Sequence, residues 1–138
     1  MAYKGLAPYL LVILGVALAA CSEEEVPPSV DIKIVEREDF TYSAGYGNGC
    51  RFKYQIINNT DDQLAKLDAF ILSEDKFLFS VSGELPPRGA MTRTTDVQQN
   101  KRCRNIPGDL GLRKTACALG SKSQDGCFAI LQLLPPEE

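Results

Sequence analysis

The tetrapeptide Ser73-Glu74-Asp75-Lys76 has the spacing of a serine nucleophile and its base. A lysine three residues after a serine can activate the hydroxyl when both lie on one turn of a helix. Here the tetrapeptide lies between two segments that alternate like strands, so the two side chains would not share a helical face. We interpret it as a hairpin turn and predict no catalytic role for Ser73.

The composition argues against most other catalytic mechanisms. The chain has no His, which removes the commonest general base and the commonest metal ligand. Asp61-Asp62 and Glu74-Asp75 fall in turn-like segments without the alternating oxygen ligands of a calcium loop, and we interpret them as solvated. The glycines of residues 45–49 lack the spacing of a phosphate-binding loop. The sequence therefore predicts no enzyme activity, no metal and no cofactor.

The N-terminus begins with a short apolar segment. Lys4 is the only charge before residues 6–20, which are themselves uncharged. The segment is too short to cross a bilayer comfortably as an uncleaved membrane helix, and it has the length of the apolar region of a secretory signal peptide. It ends in Leu18-Ala19-Ala20-Cys21, which resembles the lipobox of bacterial lipoproteins.

The resemblance implies that residues 1–20 are a signal peptide and that Cys21 becomes the acylated first residue of the mature chain. Several acyl chains, palmitate among them, hold a domain at a membrane almost permanently. In a Gram-negative host, Ser22 in place of Asp implies the outer membrane, with the domain facing the periplasm. Residues 21–29 are acidic and Pro-rich, which predicts an extended tether of at most about 26–29 Å.

The other cysteines are expected to form disulfides. The four that remain after the lipidated residue are Cys50, Cys103, Cys117 and Cys127. An even number in an exported chain is typical of disulfide bonding, whereas a zinc site would need closely spaced pairs. Three pairings are possible, and the turn-rich segment between Cys117 and Cys127 favours a local bridge there, which would leave Cys50 for Cys103.

Between residues 101 and 114, five cations stand against a single acid, Asp109. The cations are Lys101, Arg102, Arg104, Arg113 and Lys114. The chain as a whole has a net charge of −3 and becomes one unit more acidic when Lys4 leaves with the leader, which argues against nucleic acid as a partner. The local asymmetry predicts docking to an acidic partner or to anionic envelope groups, with a solvated loop as the plainer alternative.

A second candidate contact surface is the Gly-rich segment before Cys50. Tyr42 and Tyr46 lie among glycines there, a composition that suits adaptable recognition. Ordinary loop packing is the alternative. No feature of the chain indicates a small-molecule substrate.

The elements that would position these residues are mostly strands. Alternation of apolar and polar residues predicts six or seven, at residues 30–34, 50–56, 67–72, 77–82, 90–97, 112–119 and 127–134. Leu64, Leu67 and Ile71 would also fit one face of a helix, and residues 112–119 would also fit a helical turn. Phe77 is expected to share a strand face with Phe79 and Val81.

Short strands with regular turn signals predict one all-β domain over residues 30–138, an antiparallel sandwich or small barrel braced by disulfides. A strand ending in Asn58-Asn59-Thr60, two further strands and the corner Leu85-Pro86-Pro87-Arg88-Gly89 resemble the immunoglobulin-like modules of bacterial envelope lipoproteins. The resemblance implies an immunoglobulin-like sandwich, without the Cys–Trp–Cys core of antibody domains.

Together these features predict a lipid-anchored module that acts by binding, as an accessory or scaffold subunit of a cell-envelope assembly. Its partners would be the membrane, through the anchor, and an envelope protein. The alternative is an inhibitor of a periplasmic or foreign hydrolase such as a lysozyme. Lysozymes are generally basic, so an inhibitor should present acids, whereas the distinctive patch here is basic.

Overall fold

A computed structural model describes residues 26–41, 47–97 and 101–137. Cys21, Tyr42 and Tyr46 lie outside these ranges. The described elements are β1 (Ser29–Thr41), β2 (Asn48–Asn59), β3 (Leu64–Ser73), β4 (Lys76–Leu85), β5 (Ala90–Val97), a 3₁₀ turn (Cys103–Asn105), β6 (Leu110–Leu119), α1 (Gln124–Ile130) and β7 (Leu131–Leu133).

The strands form two sheets, which confirms the predicted all-β sandwich and excludes the barrel. One sheet has the order β5-β2-β1-β7 and the other β4-β3-β6. The pairs are antiparallel except that β7 runs parallel to β1, which the sequence did not predict. In a constant-type immunoglobulin sandwich the fourth strand lies beside the fifth and the seventh beside the sixth. Here β4 instead pairs with β3, and β7 with β1.

The core lies between the two sheets, and β2 shows most clearly why these residues form strands. Cys50, Phe52, Tyr54 and Ile56 are buried, while the residues between them are half-buried, as strict alternation in an inner strand requires. The Phe52 ring meets Phe79 of the other sheet at a centroid distance of 5.1 Å. Burial of such a side chain stabilises the fold by about 1.5–3 kcal/mol, so this contact helps to hold the sheets together.

The predicted faces of β4 are wrong at its first residues. Phe77 is 55% exposed, whereas Leu78 is 7% exposed and belongs to the core. The cause is a register shift between β3 and β4, because Ile71 lies opposite Phe79 but Leu72 lies opposite Phe77. Leu78 is therefore an extra residue, and such a bulge reverses the alternation of the strand. Phe77 consequently packs on the outer face.

The predicted strand over residues 127–134 is also wrong, because its first part is helical. Ser123 caps α1, accepting a hydrogen bond from the Gly126 backbone N–H at 3.1 Å. Serine is among the strongest N-caps, and Asp125 in the first turn suits the helix dipole. Only Leu131–Leu133, which form β7, extend beside β1. Residues 112–119 and 67–72 are strands, so the helical alternatives for these segments are excluded.

The two disulfides have the pairing that the sequence spacing favoured. Cys50 is bonded to Cys103 and Cys117 to Cys127, with Cα–Cα distances of 4.8 and 5.7 Å. The first bridge joins the segment before β6 to β2, an inner strand of the larger sheet. The second joins α1 to β6. These bonds confirm the predicted disulfide bracing.

A buried amide fastens the end of β2 to the corner between β4 and β5. Asn58 is fully buried, and its Nδ2 donates to the carbonyls of Asp62 and Pro86 at 2.8 and 3.0 Å. Its Oδ1 accepts from the Thr60 hydroxyl at 2.6 Å, and its backbone N–H donates to the Gly89 carbonyl. The Asn-Asn-Thr and Pro-Pro-Arg-Gly motifs of the sequence therefore meet in one buried polar cluster.

Candidate functional site

The sandwich has two distinct ends, which position the candidate residues. We call the end where β1 begins and β2 finishes, with Ser29 opposite Asn59, the proximal end. The other end, with Thr41 opposite Asn48 and the hairpin between β3 and β4, is the distal end. The segment from Lys101 to Asp109 crosses the distal end between β5 and β6 and is called the cationic loop below.

The cationic loop brings three of the predicted partner-binding residues together. Lys101, Arg102 and Arg104 are all exposed. Within the part of the chain that the structure describes, no carboxylate lies within ion-pair distance of their side chains. Three cations without ion-pair partners make this loop locally positive, beside a hairpin whose Glu74 and Asp75 are exposed acids.

The loop is fixed to the sandwich at three points. Cys103 is bonded to Cys50 of β2, and its backbone N–H donates to Asp39 Oδ1 at 2.6 Å. Ile106 is buried in the core, 5% exposed. Arg37 contributes the third attachment, because its guanidinium donates to carbonyls of the same loop. The loop is therefore held in one conformation despite its irregular backbone.

Arg113 and Lys114 follow on β6, and the strand directs them differently. Arg113 lies opposite Phe70 of β3, on the outer face of the smaller sheet, and it is exposed. Lys114 donates to the Phe128 carbonyl in the last turn of α1, where a cation is favoured by the helix dipole. Arg113 therefore adds an exposed cation on the outer face of the smaller sheet, whereas Lys114 has a structural contact of its own.

Arg37 is the residue that the sequence analysis missed, and a bulge explains its position. The register of β1 with β2 shifts between Ile34 and Glu36, which makes Val35 an extra, exposed residue. The shift places Arg37 opposite the inward-facing Phe52, where an uninterrupted alternation would have placed Glu36. Bulges commonly redirect side chains in this way.

The Arg37 guanidinium is bound without a carboxylate. Its carbon lies 5.2 Å from the Phe52 ring centroid, and its Nη atoms donate to the carbonyls of Ile106, Pro107 and Gly108 at 3.4, 3.2 and 3.3 Å. Burial lowers the pKa of Arg37 from its ordinary value. The group nevertheless stays charged at neutral pH, since arginine starts from such a high pKa.

A cavity of about 200 Å³ opens beside this guanidinium, between the edges of the two sheets. Its walls are mostly apolar and come from Ile34 of β1, Leu110 of β6 and the segment 133–136. Gly108 and the exposed Asp109 line it on the side of the cationic loop. No sequence pattern could have indicated this cavity, because it depends on the bulge at Val35 and on where β7 ends.

The remaining sequence motifs that lie within the described residues form turns and surface ion pairs. Glu74 and Asp75 adopt positive φ values of 51° and 63° in a two-residue hairpin turn, and Ser73 pairs with Lys76 across it. The hairpin interpretation of this tetrapeptide is therefore confirmed. Asp61 pairs with Arg88 at 2.9 Å. No group of three or more metal-ligating side chains is found in the described ranges.

Comparison with known proteins gives no further constraint on function. No family model, no curated protein and no solved structure matches this chain. Residues 26–41, 47–97 and 101–137 contain no helix that is long and apolar enough to span a bilayer.

Proposed function

We propose that this protein is a lipid-anchored periplasmic binding module, an accessory or scaffold subunit of a cell-envelope assembly. The single observation that carries the proposal is the cationic loop at the distal end, where Lys101, Arg102 and Arg104 stand exposed on a segment fixed by a disulfide. Their natural partner is an acidic surface of an envelope protein, because complementary charge steers association and fixes orientation.

The direction of β1 supports a partner that lies away from the anchoring membrane. An anchor at Cys21 would join the domain through the tether to Ser29, at the proximal end. The strand from Ser29 to Thr41 has 13 residues, which extend over roughly 40 Å at about 3.3 Å each. With β1 directed away from the membrane, the cationic loop would project into the periplasm.

The rigidity of the cationic loop also supports recognition. A flexible loop loses conformational entropy when it binds, and this loss weakens the complex. The disulfide at Cys103, the hydrogen bond to Asp39 and the contacts of Arg37 have already ordered this loop in the free protein. A membrane tether would further raise the effective concentration near a membrane-bound partner, so modest affinity would suffice.

The hydrolase-inhibitor alternative receives less support from the same charges. An inhibitor of a basic enzyme should present acids at its contact surface. The cationic loop instead presents Lys101, Arg102 and Arg104, although exposed Glu74 and Asp75 lie in the hairpin at the same end. The scaffold role is therefore the better conclusion.

Affinity purification of the native lipidated protein from envelope membranes tests the proposal. Wild type should co-purify with a discrete envelope protein, and K101E/R102E/R104E should lose it. The matched control K53E/K66E/K122E has the same change in net charge at exposed or half-exposed positions away from the loop, and it should retain the partner. Retention by the loop variant, or loss by both variants, would contradict the role of this surface.

The anchor is tested separately by mass spectrometry of the mature protein. The expected N-terminus is an acylated Cys21, found in the outer-membrane fraction, and Cys21→Ala should remain unprocessed. An intact Met1 terminus on soluble material would refute the lipid-anchored localisation, whatever the charge variants show.

A further inference from the structure

We infer that the cavity beside Arg37 is a binding site for a small aliphatic carboxylic acid, with the carboxylate on the guanidinium and the alkyl chain between the sheets. The inference does not depend on the proposed function, because Lys101, Arg102 and Arg104 do not line the cavity, although Gly108 and Asp109 of the same loop do.

The guanidinium retains hydrogen-bonding capacity on the side of Nε. Among the described residues, it donates hydrogen bonds to three carbonyl oxygens, all through Nη1 and Nη2. A guanidinium has five N–H groups, so at least two, including that of Nε, have no acceptor among the described residues. Two parallel N–H groups match the two oxygens of a carboxylate, the strongest pairing that arginine makes.

The charge of Arg37 is also uncompensated. Within the described ranges no carboxylate lies within ion-pair distance of it, and its acceptors are neutral carbonyls at 3.2 Å or longer. Asp109 lines the cavity, but its side chain is exposed and therefore well solvated. A half-buried cation without a counter-ion gains more from an anion than an exposed cation does, because screening by water is weaker there.

The guanidinium is already oriented for such a ligand. The Phe52 ring supports it at 5.2 Å, and the loop carbonyls fix its other edge. Phe52 itself is fully buried, so close packing holds the ring that supports the guanidinium. Binding would cost little reorganisation of the protein, which is the condition under which a small ligand can bind usefully.

The remaining walls select an apolar chain of limited length. Ile34, Leu110, Leu133 and Leu134 surround the space, and Pro135 and Pro136 form its outer edge. An apolar cavity of about 150 Å³ accommodates benzene, so a volume of about 200 Å³ suits an alkyl chain of roughly five or six carbons. An acid such as hexanoate satisfies both the charge and the volume.

Equilibrium dialysis of radiolabelled hexanoate against the full-length protein in lipid nanodiscs tests this site, with empty nanodiscs subtracted. We expect a dissociation constant below about 1 mM and binding of the neutral hexanamide at least about tenfold weaker. Arg37→Met keeps the alkyl stem but removes the charge, and it should lose at least about tenfold for hexanoate and clearly less for hexanamide, which forms only a neutral-acceptor hydrogen bond.

Two further variants keep the test decisive if Arg37→Met does not fold. Leu134→Trp at the partly exposed wall should fill the cavity and abolish binding of both ligands. Arg93→Met removes an arginine from the opposite open side of the sandwich and should leave both affinities unchanged. Equal affinity for hexanoate and hexanamide, normal binding by Leu134→Trp, or no saturable binding below about 10 mM would overturn the inference.

A second binding experiment, with a peptide, distinguishes a free small acid from the C-terminus of a protein, which carries the same carboxylate. A tripeptide that ends in leucine carries the same carboxylate and a branched apolar group. It should bind more weakly than hexanoate, because its backbone amides would meet the apolar walls without hydrogen-bond partners. Tighter binding of the tripeptide than of hexanoate would overturn the small acid as the occupant.

Discussion

Cys103 is joined by a disulfide to Cys50, with their Cα atoms 4.8 Å apart, and this bond fastens the cationic loop to an inner strand of the larger sheet. Cys50 is fully buried and lies opposite Val97, the last residue of β5. The loop that follows β5 is therefore attached to the core close to the point where it leaves the sheet. The bridge both stabilises the fold and orders the proposed contact surface.

The two disulfides should differ in their contribution to stability because they close loops of different length. The sequence separations are 53 residues for Cys50–Cys103 and 10 for Cys117–Cys127. Chain entropy alone gives stabilisation of about 4 and about 3 kcal/mol respectively. We expect C50A/C103A to lower the urea midpoint more than C117A/C127A. The reverse order would mean that strain or residual structure in the unfolded chain outweighs loop entropy.

Asn58→Ala should be among the most destabilising polar substitutions in the chain. It would leave the carbonyls of Asp62 and Pro86 and the Thr60 hydroxyl without their amide partner in a buried cluster. We expect a loss of about 2–4 kcal/mol in the free energy of unfolding, measured by urea denaturation.

Asn48→Ala at the other end of β2 is the matched control for this prediction. Among the described residues, the one side-chain hydrogen bond of Asn48 is exposed and comes from Thr41, at 3.1 Å, and we expect a loss below about 1 kcal/mol. Comparable losses in the two variants would mean that the buried network around Asn58 does not stabilise the domain specifically.

Gly49→Ala should destabilise the distal end because three strands approach closely there. A Cβ at this position would lie 2.6 Å from the Phe40 ring and 2.7 Å from the Val97 carbonyl oxygen. We expect a loss of about 1–3 kcal/mol, typical of overpacking. Gly108→Ala serves as the control, since a Cβ there meets nothing within 4 Å, and its effect should stay within about 0.5 kcal/mol. A neutral Gly49→Ala would show that Phe40 moves aside freely.

Individual residues show which parts of this fold the sequence predicts. The alternation from Cys50 to Ile56 predicts β2 and its buried face because an inner strand of a sandwich must present apolar side chains at every second position. The even number of cysteines predicts the disulfides because cysteines of an exported chain are oxidised in pairs, whatever the packing around them. The first prediction rests on a local pattern and the second on the cysteine count of the whole chain.

The features that the sequence did not predict depend on contacts between distant segments. Nothing in the local pattern marks Val35 or Leu78 as the extra residue of a bulge. After Val35 either alternation turns charged residues inward, and at Leu78 either alternation buries an apolar side chain. The C-terminal apolar run fits a strand or a helix equally well, and Ser123 together with the Cys117–Cys127 bridge decides for the helix. The cavity beside Arg37 depends on the first of these bulges, so it was unpredictable for the same reason.

Tyr54 should make stability depend on pH in the alkaline range. It is 5% exposed, and burial raises its pKa above the ordinary value of 10.0, although Arg93, opposite it on β5, counteracts this in part. The phenol would therefore ionise in the unfolded chain before it does so in the folded one. Stability from this group is fully present below pH 10 and is lost as the pH rises through the higher pKa of the folded state.

Tyr54→Phe removes the titrating group and should reduce this loss. The difference in unfolding free energy between wild type and Tyr54→Phe, measured by urea denaturation at intervals from neutral to alkaline pH, should be constant below pH 10 and then shift in favour of the variant. Arg93→Met should strengthen the effect in the wild-type background, because it removes the cation that favours the phenolate. A difference that stays constant across the alkaline range would show that Tyr54 ionises equally in both states, and that its hydroxyl reaches solvent in the folded protein.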